Sequence, residues 1–265
     1  MQIRDPLDYL PLWGVYVTTV AVVLLSFEIG FRLERYRLQR SEQEKEKEKE
    51  QPVGAMVGAT LGLLGFILAF TFGLAASQYY DRRDLVLAEA NAIGTTYLRA
   101  EMLTEPHRTE IRNLLREYVD VRVSIQQGNI EQVIHRSEEL HRRLWSQAVA
   151  EAKKNPTFFI AGLFIGSLNE VIDLHGERLE AGLRRRIPGI IWFVLYFITI
   201  LAMAAIGYHA GLTGTRRSLS ILAVVLTFSA VISLIADLDR SAEGLLKVSQ
   251  QAMVDLQNTI IAPES

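Results

Sequence analysis

The residues whose spacing points most directly to function are small ones. Gly54, Gly58, Gly62, Gly65, Ala69, Gly73 and Ala76 follow one another at intervals of three and four within residues 53–77, a stretch without a single charge. At about 100° per residue, this spacing places them all on one narrow face of a helix. Phe66 and Phe70 border the face on one side and Phe72 on the other. A face of this kind has two uses. Small side chains let helix backbones approach closely inside a bilayer, where apolar surface alone does not drive helices together. Alternatively, the helix repeats around a symmetry axis, the small face lines a pore, and the adjoining rings form a hydrophobic constriction that gates by dewetting. On the second use, the lining or constricting residues are Gly58, Gly62, Gly65, Phe66, Ala69 and Phe70.

Few ionisable residues compete for attention. Glu28 stands near the end of the first apolar stretch, where a carboxylate is either an intramembrane ion or proton site or a snorkelling group paired with Arg32 one turn on. Arg82 and Arg83 follow the charge-free stretch and, repeated around an axis, make a ring that attracts anions, offset by Asp81 and Asp84. The five histidines, His107, His135, His141, His175 and His209, show no metal-binding spacing, and there is no cysteine. No paired-His helix, nucleophile elbow, phosphate-binding loop or dinucleotide fingerprint is present. Neither an enzyme activity nor a cofactor nor a metal is expected.

These residues are positioned by a chain of two populations. Of its 265 residues, 49% are hydrophobic and 22% charged, yet the charges are segregated rather than dispersed, which implies two solvents. A net charge of −2 gives no reason to expect nucleic acid as a partner. Crossing a hydrocarbon core takes about 20 apolar residues, and four segments qualify. The predicted organisation is an N-terminus and first transmembrane helix (1–31), a charged loop (32–52), a second transmembrane helix (53–77), a soluble helical domain (78–186), a third transmembrane helix (187–208), a short loop (209–218), a fourth transmembrane helix (219–236) and a C-terminal helical segment (237–265). The first residues lack a basic n-region and a small-residue cleavage site, so they are expected to remain in the mature chain. Asp237, Asp239 and Arg240 are expected to mark the water boundary of the fourth span.

The insert reads as helix throughout, because apolar residues recur at three and four and never alternate. Its first helix continues out of the second span to Leu103. Thr104 is the expected N-cap of the next, with Pro106 in the first turn. That helix carries Ile111, Leu115, Tyr118, Arg122 and Ile125 on one face as far as Gly128. Asn129 caps a third with Val133, Leu140, Leu144 and Ala148 on its face, ending at Asn155–Pro156, and a fourth runs 158–186. The fold class is therefore all-α: a polytopic membrane protein with four transmembrane helices and a helical bundle inserted between the second and third.

Three stretches together resemble the bacterial bestrophin-like membrane family: LGFILAFTFGLAASQYYDRRDLVLAEANAIGTTYLRAEML, LNEVIDLHGERLEAGLRRRIPGIIW and DLDRSAEGLLKVSQQAMVDL. Ser241 replaces the Pro that commonly follows the LDR pattern. The chain is more distantly similar to bestrophins proper. That similarity implies a pentameric anion channel whose second span narrows the pore, with Phe66 as a neck residue. Gly62 and Gly58 stand where bestrophins have bulky apolar side chains, which implies a wider neck or one shifted to Phe70. The acidic calcium-binding cluster of animal bestrophins is not recognisable, so calcium gating is not implied.

The expected partners are the lipid bilayer, further copies of the chain as a homo-oligomer (a pentamer) and small inorganic ions. The resemblance implies a multi-pass protein of the bacterial inner membrane with termini and insert cytoplasmic. The basic residues of the first loop, Arg32, Arg35, Arg37, Arg40, Lys45, Lys47 and Lys49, favour the opposite orientation under the positive-inside rule. With the insert outside, the chain is a non-conducting sensor or scaffold, its four-helix bundle held between membrane helices.

Overall fold

A computed structural model of the protein describes residues 10–38, 47–124, 130–154, 158–214, 219–240 and 244–261. Among these residues the regular structure is helical: α1 (Leu12–Leu38), α2 (Lys47–Ala100), α3 (His107–Val123), α4 (Ile130–Lys154), α5 (Phe158–Leu183), α6 (Gly189–Leu212), α7 (Leu219–Asp239) and α8 (Gln251–Ile261). Four of them, α1, α2, α6 and α7, are long and apolar enough to cross a membrane. This is the all-α, four-span class the hydropathy pattern predicts. The chain divides into two compact units, Met1–Tyr79 with Arg185–Lys247 and Tyr80–Arg184 with Val248–Ser265.

In the first unit, α1 lies directly against α6, and glycine makes this possible. A Cβ on Gly30 would fall on the Ala204 carbonyl oxygen, and one on Gly207 would fall on the Phe27 carbonyl oxygen. At Gly211 it would sit 2.9 Å from Glu34 Cβ. Small residues thus bring two backbones into contact, the way helices associate without hydrophobic drive. Thr19 Oγ1 and the Tyr196 hydroxyl join the same pair at 2.8 Å. Val15, Val23, Leu64, Leu68, Leu195, Met203, Val225 and Ile232 build the surrounding core.

The charges at the end of α7 are taken up by partners within the unit. α7 runs on to Asp239, and Asp237, Asp239 and Arg240 are 5%, 2% and 5% exposed. Their charges serve backbone groups that chain turns leave unpaired. Asp239 accepts from the Ile187 amide (2.8 Å) and from Arg186 Nε (3.0 Å). Asp237 accepts from the Leu245 amide (3.0 Å), and Arg240 Nη2 donates to the Leu10 carbonyl (2.7 Å).

The second unit packs the distal part of α2 with α3, α4, α5 and α8 around Ile93, Tyr97, Leu115, Leu140, Leu144, Phe164, Leu168 and Met253. The predicted faces Ile111, Leu115, Tyr118 and Arg122, and Val133, Leu140, Leu144 and Ala148, are buried. The α8 helix is tied in by hydrogen bonds from Tyr97 and Arg116 to the Ile260 carbonyl. Thr104 does not cap α3. Its amide and hydroxyl both donate to the buried Glu151 carboxylate, and α3 starts beyond Pro106, with the Glu105 carboxylate accepting from the Thr109 amide (3.3 Å) and hydroxyl (3.0 Å). Glu105 thus reaches forward into the first turn, while Thr104 is held by Glu151. Ile125, Gly128, Asn129, Asn155, Pro156, Ser241 and residues 39–46 of the first loop lie outside the described residues.

Candidate functional site

The apolar part of α2 has two unlike sides. Leu64, Leu68, Thr71 and Ala75, at helical spacing, are buried within its own unit. The other side is bare. Phe66 and Phe70 are 70% and 61% exposed, and Ala69 is exposed beside them. A Cβ added at Gly58, Gly62, Gly65 or Gly73 would meet nothing within 4 Å. Gly54 departs from the series, since a Cβ there would come within 3.2 Å of His209 Nε2. Helical periodicity therefore brings Gly58, Gly62, Gly65, Phe66, Ala69 and Phe70 onto one exposed, uncharged surface. Thr71 does not add polarity to it: the side chain is buried, and its hydroxyl donates to the Ile67 carbonyl at 2.8 Å.

The other candidates are placed differently. Glu28 accepts from Arg32 Nε at 2.7 Å, one turn along the same helix. Arg82 is 6% exposed and buried, whereas Arg83, Asp81 and Asp84 are exposed. Of the two arginines, Arg83 alone presents its charge at the surface of the chain.

A further group of ionisable residues lies inside the second unit, unrecognised from sequence. Glu89 of α2 is fully buried and accepts from the Tyr118 hydroxyl (2.5 Å), from Arg122 Nη2 (3.1 Å) and from Arg178 Nη1. Arg178 Nη2 continues to Gln250 Oε1 at 3.1 Å. His141 and His175 meet edge to face, ring centroids 4.9 Å apart, and Tyr118 lies tilted against His141 at 4.8 Å. Burial pushes His141 down to about 4 and His175 down to about 3, with the Arg122 charge adding to both, so each imidazole is neutral at pH 7. Burial and then the Glu89 charge hold the Tyr118 phenol well above its ordinary range. One signal was available in the sequence: Arg122 occupies an otherwise apolar helix face, which a charge takes only when paired inside. Glu89 and Arg178 give no such sign, because their helices carry charges all round.

Taken together, helices of membrane length and a helical unit formed largely from the stretch between the second and third define an all-helical, multi-pass membrane protein. The model of the Bestrophin-like domain matches residues 17–253, and the chain belongs to that family. Its fold is similar to solved structures of a bacterial Bestrophin homolog from Klebsiella pneumoniae. One single-residue variant superposes with a TM-score of 0.66 at 13% identity, covering 93% of this chain and 95% of that one. The form phased with zinc gives 0.63 at 14% identity, over 92% and 97%. A second variant gives 0.64 at 14% identity, over 93% and 97%. At such identities the likeness concerns the fold. No curated protein matches the sequence.

Proposed function

We propose that the protein is a homo-oligomeric channel, a pentamer of the bacterial inner membrane, that passes small inorganic anions through a pore lined by α2. One observation carries this reading: the Gly58–Gly62–Gly65–Ala69 face is bare in the single chain, although close packing is what gives such residues value in a bilayer. Packing within the chain is done by Gly30, Gly207 and Gly211 instead, so the α2 face is left for other copies or for a central axis. Membership of the Bestrophin-like family supports the axis. Phe66 and Phe70 then form the constriction, gated by dewetting, and Arg83 supplies the attracting charge. Termini and insert are cytoplasmic, no cofactor takes part, and the chain is not an enzyme. Planar-bilayer recording of the purified oligomer tests the proposal. Unitary anion currents are expected, and an intact oligomer that never conducts would refute it. A monomer in detergent would remove the axis altogether.

The sensor or scaffold reading keeps one observation in its favour, the basic residues that follow the first span, Arg32 and Arg35 among them. An impermeant thiol reagent decides between them. Glu138 is exposed on α4, and a Glu138→Cys chain labelled in intact cells would place the insert outside.

A further inference from the structure

Charges in the buried group around Glu89 do not balance. Glu89 is the one carboxylate in the group, and Arg122 and Arg178 both bind it, so two guanidiniums against one carboxylate leave one positive charge in excess. The imidazoles of His141 and His175 add none while neutral. Arg122 is 1% exposed and uses only Nη2, toward Glu89. Its Nε and Nη1, like Nε2 of His141 and of His175, are buried with no hydrogen-bond partner among the described residues. Leaving the buried donors of a charged group unsatisfied is costly, and an uncompensated buried charge is costlier still.

We propose that this interior is a binding site for a small monovalent inorganic anion of halide or nitrate size, held by Arg122 with His141 and His175 beside it. The sign of the excess charge selects an anion. Two guanidiniums repel a divalent cation, the Glu89 oxygens are already taken, and among the described residues no cluster of three metal-ligating groups exists. One bound negative charge makes the interior neutral, and a dianion would overshoot. The rings of Tyr118, His141 and His175 are in mutual contact, centroids 4.8–6.3 Å apart, which leaves no room for a large ligand.

Tautomer logic adds a proton to the binding. The Tyr118 hydroxyl has a single hydrogen, which it gives to the Glu89 carboxylate at 2.5 Å. Its 3.3 Å approach to His175 Nδ1 is therefore a hydrogen bond in which Nδ1–H donates. Neutral His175 then carries a lone pair on Nε2, which repels an anion, and protonation turns that atom into a donor. The charged groups around it are Glu89 from α2, Arg122 from α3 and Arg178 from α5, with His141 from α4. The monovalent ion balances the guanidinium excess with both imidazoles neutral, and protonation of His175 adds a donor beside it, so affinity rises as pH falls.

Bromide provides the direct test. In crystals of the full-length wild-type protein grown with bromide at pH 5, an anomalous peak is expected within hydrogen-bond distance of Arg122. In detergent at constant ionic strength, chloride and nitrate should raise the melting temperature relative to gluconate, by more at pH 5 than at pH 8. Arg122→Lys should weaken the apparent chloride affinity at least tenfold, and His175→Gln should abolish its pH dependence. If the variants fail to fold, the wild-type bromide map still decides. No bromide at Arg122, equal effects of gluconate and chloride, or stabilisation by zinc in place of halide would each overturn the proposal.

Discussion

Two sets of glycines with similar spacing occur in the apolar helices, and they do opposite things. Gly207 and Gly211 of α6, with Gly30 of α1, disappear into a contact so close that a single added carbon would land on a neighbouring carbonyl at Gly207 and Gly30 and 2.9 Å from Glu34 Cβ at Gly211. Gly58, Gly62 and Gly65 of α2 face open space, and an added carbon there would touch nothing in the same chain. Both stripes satisfy the rule that small residues at intervals of three and four let helices approach. The difference teaches that the motif specifies a capacity for contact, and that only the arrangement of the chain decides whether the partner is internal. A stripe consumed inside the chain contributes to folding, whereas one left bare is available to a neighbouring copy or to a pore.

The comparison is easiest to break at α6. Gly207→Leu forces a side chain onto the Phe27 backbone, and rigid backbone gives way less readily than side chains, so a loss of about 4 kcal/mol or more is expected. Folded protein should be nearly absent from size-exclusion profiles in detergent. A Gly207→Leu chain that melted like wild type would end the claim of internal packing.

Acid offers a contrast that touches neither stripe. His141 and His175 have folded pKa values of about 4 and about 3, against an unfolded value near 6.5. Between these limits the unfolded chain binds more protons than the folded one, so stability rises with pH and is lost as pH falls from 6.5 toward 4. The loss is roughly 1 kcal/mol per pH unit for each imidazole. In gluconate, proteolysis within residues 107–183 should accelerate below pH 6. The Gly30–Ala204 and Gly207–Phe27 contacts are made by backbone and have no proton to gain. Unchanged protection of the insert at pH 4.5 would remove the buried neutral imidazoles from the account.

Within α2 itself the two sides can be set against each other. Leu64 is fully buried, and Leu64→Ala should lower stability by about 2 kcal/mol. Gly62→Leu and Gly65→Leu should change the stability of the single chain by less than about 0.5 kcal/mol. In a subunit interface they should reduce the yield of assembled oligomer, and in a pore lining they should leave assembly intact and lower conductance. Loss of neither assembly nor flux would leave the face to lipid and take the pore argument with it. The smallest effect belongs to Glu28→Gln, which breaks a partly exposed pair with Arg32 and should shift stability by no more than about 0.5 kcal/mol. Abolished ion flux in that variant would instead make Glu28 a transport site.

Much of this organisation was legible in the residue order. Spans, amphipathic faces and the bestrophin-like stretches are carried by neighbours along the chain, and so was the bare stripe as a pattern on α2. What escaped was long-range. Thr104 has the right chemistry for a cap, yet its hydroxyl is claimed by Glu151, forty-seven positions away. Nothing near Asp237 and Asp239 in the sequence shows that they accept from the amides of Leu245 and Ile187. Glu89, Tyr118, His141 and His175 stand on four different helices, and no spacing rule joins them.

The sequence by itself determined that this is an all-helical membrane protein with four spans, because the transfer of about twenty apolar residues into hydrocarbon is a sum over consecutive side chains. It likewise determined which residues share each helix face, because the helical period is a local property. Tertiary structure alone decided which glycine stripe is spent on internal packing and which charges meet in the interior. Those outcomes depend on the approach of helices distant in sequence, and on the requirement that every buried polar group find a partner wherever in the chain one is available.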